Sequence, residues 1–332
     1  MKYVFLTQGS QAVGYGHVYE ALAIAETLSS PADFILFDSS DIAETIVRQK
    51  GYNRIKRLTM DTLDTCDISR ETCVVLDTRL NDIVLQKKIR THAGRLIMID
   101  ELGDKKVDCD VLINFSICKE WVSSYRYEKE PHCFFGAQYY PLREEFLSLP
   151  KKDKGHPVKR VLISMGGADR TRATLKIAES CASIEGCEFT YIVGGGFEFG
   201  LDEIKTCTGN RKKHHIIKDS SDFAGILNSH DMIITAGGNT LFEAAFCGVP
   251  SLVVWEDEHE RVQGEAFEQY GVARVIGNAG GFSAEQLRNT IEKVLSNPAV
   301  LKKMSDTGKK LVDGNGCERI THILRGVKNV SV

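Results

Sequence analysis

Ile233-Ile-Thr-Ala-Gly-Gly-Asn-Thr-Leu-Phe-Glu-Ala-Ala-Phe-Cys-Gly-Val-Pro-Ser-Leu-Val-Val-Trp255 decides how the chain is read. The apolar pair Ile233-Ile234 runs into Ala236-Gly237-Gly238, and an amphipathic stretch follows. Asn239 or Thr240 offers a helix cap, and Glu243, three residues after Thr240, has capping-box spacing. Gly248-Val-Pro250 stops the helix, and Ser251 to Trp255 begins another apolar strand. The order is strand, glycine loop, helix, tight turn, strand. A glycine turn opening on a helix N-terminus presents backbone N–H groups and a positive dipole end, which suits a phosphate.

The same alternation extends in both directions. Toward the N-terminus, Tyr3 to Leu6 leads through a glycine loop to a helix at about His17 to Leu28. Phe34 to Phe37 precedes a helix from Ile42 to Gln49, and Cys73 to Leu76 precedes one from about Asn81 to His92. Leu96 to Ile99 and Val111 to Asn114 are two further strands. Leu149-Pro-Lys-Lys-Asp-Lys-Gly-His-Pro157 is charged and rich in turn formers, and reads as a linker. A second series then gives strands at 160–164, 189–193, 215–217, 232–234, 251–254 and 273–276, with closing helices at Ala284 to Leu295 and about Gly316 to Arg325. The repeat predicts α/β architecture: two doubly wound parallel sheets, in domains 1–150 and 151–332, with ligands expected in a cleft between them.

Composition narrows the function. Of 332 residues, 42% are hydrophobic and 26% charged, as in an ordinary globular protein. The 42 basic and 45 acidic residues leave a net charge of −3 with no long basic block, which argues against a nucleic-acid partner. No apolar run reaches the length of a membrane span or a signal-peptide core, so a cytoplasmic chain is expected, with peripheral membrane contact left open. Ten cysteines lie scattered without a CxxC pair, which fits reduced thiols better than a disulfide framework or zinc site.

Four constellations carry candidate chemistry. Gly14-Tyr15-Gly16-His17 opens the first helix, where two glycines let backbone approach a ligand and His17 is the candidate general base. The helix N-terminus is expected to lower the pKa of His17 and favour the neutral imidazole. Gly166 and Gly167 lie in a matching loop after the first strand of the second domain. Gly237, Gly238, Asn239 and Thr240 suit a diphosphate, and Glu243 one turn on suits ribose hydroxyls. Trp255-Glu-Asp-Glu-His259-Glu260 follows a strand, with His259 and Glu260 as candidate substrate contacts against the alternative of a solvated loop. No metal is expected there, because no second histidine lies at helical spacing. Asp77-Thr-Arg79, Asp100-Glu101 and Asn114 complete a set of polar strand ends in the first domain, expected to line one pocket.

Together these segments resemble the MurG-related GT-B superfamily, and more closely its PseG/SpsG branch of UDP-sugar hydrolases and spore-coat polysaccharide relatives. The resemblance covers essentially the whole chain. It is carried by Gly14-Tyr-Gly-His17, Ile99-Asp-Glu-Leu-Gly-Asp104, Asp108-Cys-Asp-Val-Leu-Ile-Asn114, Leu142-Arg-Glu-Glu-Phe146, Ser164-Met-Gly-Gly-Ala-Asp169, Ala236 through Glu243, Gly248-Val-Pro250 and Asp313-Gly-Asn-Gly316. It implies a GT-B fold of two Rossmann-like domains and an enzyme without metal or cofactor. The nucleotide of a UDP-sugar would lie on Gly166, Gly167, Gly237, Gly238, Asn239, Thr240 and Glu243. The sugar would face His17, with Gly14, Tyr15, Gly16, Asp77, Arg79, His259 and Glu260 as its further contacts. In the hydrolase, water attacks the anomeric carbon, UDP leaves and the free amino or deoxy sugar is released for surface polysaccharide or pseudaminic-type acid synthesis. A monomer is expected. Three departures from the branch pattern touch the sugar half: Leu6-Thr-Gln8 replaces an Arg-x-Asp, Glu20 replaces an arginine, and His259-Glu260 replaces Asn-Gln. A GT-B glycosyltransferase and a non-catalytic nucleotide-sugar binder are the alternatives.

Overall fold

A computed structural model describes residues 2–63, 67–80, 82–150 and 158–326. The chain divides into two compact units, 1–144 with 314–332, and 145–313. Most of the expected linker, residues 151–157, lies outside the described residues, as does Asn81.

The first unit runs β1 (Lys2–Thr7), α1 (Gly16–Thr27), β2 (Ala32–Phe37), α2 (Asp41–Gln49), β3 (Ile55–Leu58), β4 (Thr72–Asp77), α3 (Ile83–His92) and β5 (Arg95–Ile99). It continues with β6 (Lys106–Val107), β7 (Val111–Asn114), α4 (Lys119–Ser123), β8 (Arg126–Tyr127) and β9 (His132–Phe135). Helix α5 (Glu144–Leu147) straddles the boundary. The sheet order is β3-β2-β1-β4-β5-β7-β9, with every pairing parallel. Strand β4 is buried along its length, which is why Thr-Cys-Val-Val-Leu-Asp reads as an unbroken apolar run and not an alternating one.

The second unit runs β10 (Arg160–Ser164), α6 (Ala173–Cys181), β11 (Glu188–Val193), α7 (Leu201–Cys207), β12 (His214–Lys218), α8 (Phe223–Ser229) and β13 (Met232–Thr235). It ends with α9 (Thr240–Cys247), β14 (Ser251–Trp255), α10 (Glu258–Gln269), β15 (Ala273–Asn278), α11 (Ala284–Leu295) and α12 (Pro298–Leu311). Its parallel sheet has the order β12-β11-β10-β13-β14-β15. Its core includes a buried cluster with Val161, Ile163, Phe189, Tyr191, Ile234, Leu252 and Leu287. In each unit the strand order reverses once, between β1 and β4 and between β10 and β13. Those switch points open a crevice at the carboxyl ends of the strands, where doubly wound sheets bind ligands.

The last helix, α13 (Gly316–Leu324), belongs to the first unit and packs against α1, although the sequence reading gave it to the second domain. Contact with Tyr140 requires the glycine at its start, because a Cβ on Gly316 would lie 2.0 Å from the Tyr140 carbonyl oxygen. Arg319 also donates to the Gln138 carbonyl at 2.9 Å. The capping box expected at Thr240 and Glu243 is not formed. Asn239 is the N-cap with helical backbone angles (φ −57°, ψ −23°), no side chain caps the helix, and Thr240 is already its first residue. The stop holds as read, with Gly248 left-handed at φ +64°. Helix α12, which begins at Asn297-Pro298 with the Asn297 side chain accepting from Val300 N–H, was not anticipated.

Candidate functional site

The first unit builds its site at the β1/β4 switch point. After β1, Ser10 and Gly14 exchange backbone hydrogen bonds of 3.1 and 2.8 Å, and Gly14 takes φ +78° to turn the chain. Helix α1 starts at Gly16, so His17 projects from its first turn as expected. Its Nδ1 lies 2.7 Å from Oδ1 of Asp77, the last residue of β4. The pair is largely enclosed, with the Asp77 side chain 2% exposed.

The electrostatics correct one expectation. Burial disfavours the imidazolium, but the charge and hydrogen bond of Asp77, with the Glu101 charge, outweigh burial and an opposing Arg79, so the pKa of His17 is raised. The helix N-terminus does not dominate. Asp77, expected among the sugar contacts, occupies Nδ1 of His17 with Oδ1. Glu101 is itself pushed up by burial, against the pull of His17.

Other expected pocket residues have structural partners. Tyr15 places its hydroxyl 3.3 Å from Ser40 Oγ, beside α2. Asp100 accepts from Tyr125 Oη at 2.7 Å and from Gly103 N–H at 2.9 Å, and Asn114 donates to Tyr125 Oη at 2.7 Å. These two hold the loops after β5 and β7 together instead of lining an open pocket. Arg79 is exposed, and its carbonyl accepts from Lys105.

In the second unit the glycine loops meet at the β10/β13 switch point. Gly166 has φ +81°, and Cβ atoms on Gly166, Gly167 or Gly238 would meet nothing within 4 Å, so these backbones face open space. Gly237 has φ +121°, and its Cβ would fall 2.7 Å from the Glu260 carbonyl oxygen. Gln263 of α10 donates to the Gly237 carbonyl at 2.7 Å and fixes the loop. A third loop, Gly194-Gly195-Gly196 after β11, escaped the sequence reading. It packs on the first, with Gly196 N–H donating to the Gly167 carbonyl at 3.0 Å. Consecutive glycines after a strand were the available signal.

The two helix N-termini differ in availability. Both oxygens of Asp169 accept from α6, Oδ1 from Ala173 N–H and Oδ2 from Thr174 N–H, each at 2.7 Å. That carboxylate occupies the place where an anion would sit on α6. Helix α9 carries no side-chain cap, so its N-terminus is the better seat for a phosphate. Glu243 lies in its first turn and is buried.

The segment 256–260 is a helix start and not a loop. Asp257 caps α10, accepting from Glu260 N–H at 3.0 Å. Glu258 pairs with Arg261, and Glu260 Oε2 accepts from Glu256 N–H at 2.7 Å. The Glu260 carboxylate, expected to contact substrate, therefore folds the turn, while His259 is the second residue of α10. Glu256 reaches across to the loop before α6, accepting from Thr171 Oγ1 at 2.9 Å. Burial, then a hydrogen bond with and the charge of Asp169, push its pKa up to about 7.

Glycosyltransferase family 28 C-terminal domain matches residues 161–315, most of the second unit. With two doubly wound units, the chain has the GT-B fold. It is 25% identical over 333 residues to the spore coat polysaccharide biosynthesis protein SpsG of Bacillus subtilis, covering 96% of each chain. It is 27% identical over 286 residues to the uncharacterised protein MJ1062 of Methanocaldococcus jannaschii, a match to 81% of this chain and 58% of that protein. Among solved structures, Acinetobacter baumannii MurG superposes with a TM-score of 0.70 at 12% identity, covering 98% of this chain and 100% of MurG. Among the described residues no helix is long and apolar enough to cross a membrane, and the cysteines are free thiols.

Proposed function

We propose that this chain is a nucleotide-sugar hydrolase of surface-glycan synthesis, acting on a UDP-linked diacetamido-trideoxy hexose. The observation that carries the reading is the 2.7 Å His17–Asp77 pair at the carboxyl end of a doubly wound sheet. Asp77 accepts from Nδ1–H, which leaves Nε2 as the base. Water attacks the anomeric carbon as Nε2 takes its proton, and Asp77 stabilises the imidazolium that results. The C–O bond to the diphosphate breaks, and UDP leaves. The second unit supplies the nucleotide site: open backbone at Gly166, Gly167 and Gly238, with the uncapped α9 N-terminus stabilising charge on the departing diphosphate. Glu243 is assigned to the ribose. The likeness to SpsG along both chains supports a polysaccharide pathway.

The match of the second unit to a glycosyltransferase domain supports a second reading, in which an acceptor hydroxyl replaces water. One assay separates them: UDP release from a panel of UDP-sugars in plain buffer without metal. Turnover of roughly 1–1,000 per second from one donor supports the hydrolase. UDP binding without release moves the assignment to the transferase.

A further inference from the structure

His17 and Glu20 stand three residues apart on α1 and therefore project from one helix face. Asp77 meets them from the end of β4, and the three side chains each offer a donor atom within 4.8 Å of the others. Glu20 and Asp77 are buried, at 3% and 2% exposure.

A second observation points into the same place. Oδ2 of Asp77, the oxygen not used by His17, has no hydrogen-bond partner among the described residues. Thr7 pairs in register with Asp77 on the adjacent parallel strand, so both side chains stand on the α1 side of the sheet. Its Oγ1 is likewise buried without a partner among the described residues. Such buried atoms are costly to leave unsatisfied.

We propose that His17, Glu20 and Asp77 form a binding site for one divalent transition-metal ion. One imidazole nitrogen and two carboxylates are borderline donors that suit Zn²⁺, Mn²⁺ or Co²⁺ better than an all-oxygen ion such as Ca²⁺. Metal–ligand bonds of about 2.0–2.2 Å require the three donors to close inward around the ion. Two carboxylates neutralise the ion, and three protein ligands leave a position open for water. An ion bound through Nδ1 beside Asp77 keeps the single ring proton on Nε2, so it competes with the base role of His17 and slows base-driven turnover. Binding itself does not rest on the proposed activity.

The test titrates Co²⁺ into the metal-stripped full chain, read by calorimetry, visible absorption and histidine-ring NMR. The expected result is one ion per chain, shifting the His17 ring signals. Glu20→Gln and Asp77→Asn should each weaken binding by roughly tenfold or more. Unchanged circular dichroism and melting in Glu20→Gln keep the comparison valid if Asp77→Asn fails to fold. The proposal is overturned by the lack of a saturable site, by a site unchanged in Glu20→Gln, or by a thiolate charge-transfer band that assigns the ion to a cysteine. Failure of any UDP-sugar to turn over leaves this result untouched.

Discussion

Replacing Glu256 by Gln should remove a large part of the pH dependence of the second unit. Glu256 lies against Asp169, whose two oxygens accept from the α6 amides. Burial and that neighbour raise Glu256 from 4.5 to about 7, so the folded chain keeps a proton that the unfolded chain gives up. Stability from this group is full below pH 4.5 and declines as pH rises through about 7. The gap corresponds to about 3 kcal/mol, and it belongs to the Glu256–Asp169 pair as a unit. At roughly 2–4 °C per kcal/mol for a unit of this size, melting should fall by about 6–12 °C between acid and alkaline pH. The amide of Gln can donate to Asp169 in place of the proton and still accept from Thr171, so the variant should lose that slope. Calorimetry at pH 5 to 9 measures it. Superimposable pH profiles for the two proteins would refute the reasoning.

Three further outcomes are expected. Asp77→Asn removes the charge that raises His17, so the acid limb of the pH–rate profile should move to lower pH, while misorientation of the ring lowers kcat by about 10²–10⁴; an unmoved limb would show that Asp77 does not act on His17. Gly237→Ala places a Cβ 2.7 Å from the Glu260 carbonyl oxygen at φ +121° and should cost about 1–3 kcal/mol in urea melts, with weaker UDP binding. The pair Glu243→Gln and Asp169→Asn should separate the two helix starts: the first is expected to weaken UDP binding and the second to destabilise α6, measured by calorimetric titration and melting.

The alternation of strand and helix was legible because a parallel sheet buries its strands on both faces. Continuous runs such as Val161-Leu-Ile163 and Cys73-Val-Val-Leu76 then stand out between glycine turns. Strand β3 was missed because it is an edge strand, Ile55-Lys-Arg-Leu58, with two exposed charges. Helix α12 was missed although Asn297-Pro298 signals its start, and no local signal could show that α13 returns to the first unit. The position of His17 in the first turn of α1 was legible from its glycine setting. Its partner was not, because Asp77 meets His17 only once β4 is known to lie beside β1. The same holds for Glu256 and Asp169, joined through the β10-β13-β14 order. The carboxylates of 256–260 looked like substrate groups because sequence does not distinguish a helix cap from an exposed acid.

The central claim, that His17 is the base of a nucleotide-sugar hydrolase, is tested most directly by His17→Asn. UDP release from the donor found in the panel should fall by at least about 10² while UDP affinity, measured by calorimetry, stays within about twofold of the unaltered chain. Turnover retained at the original rate would contradict the account.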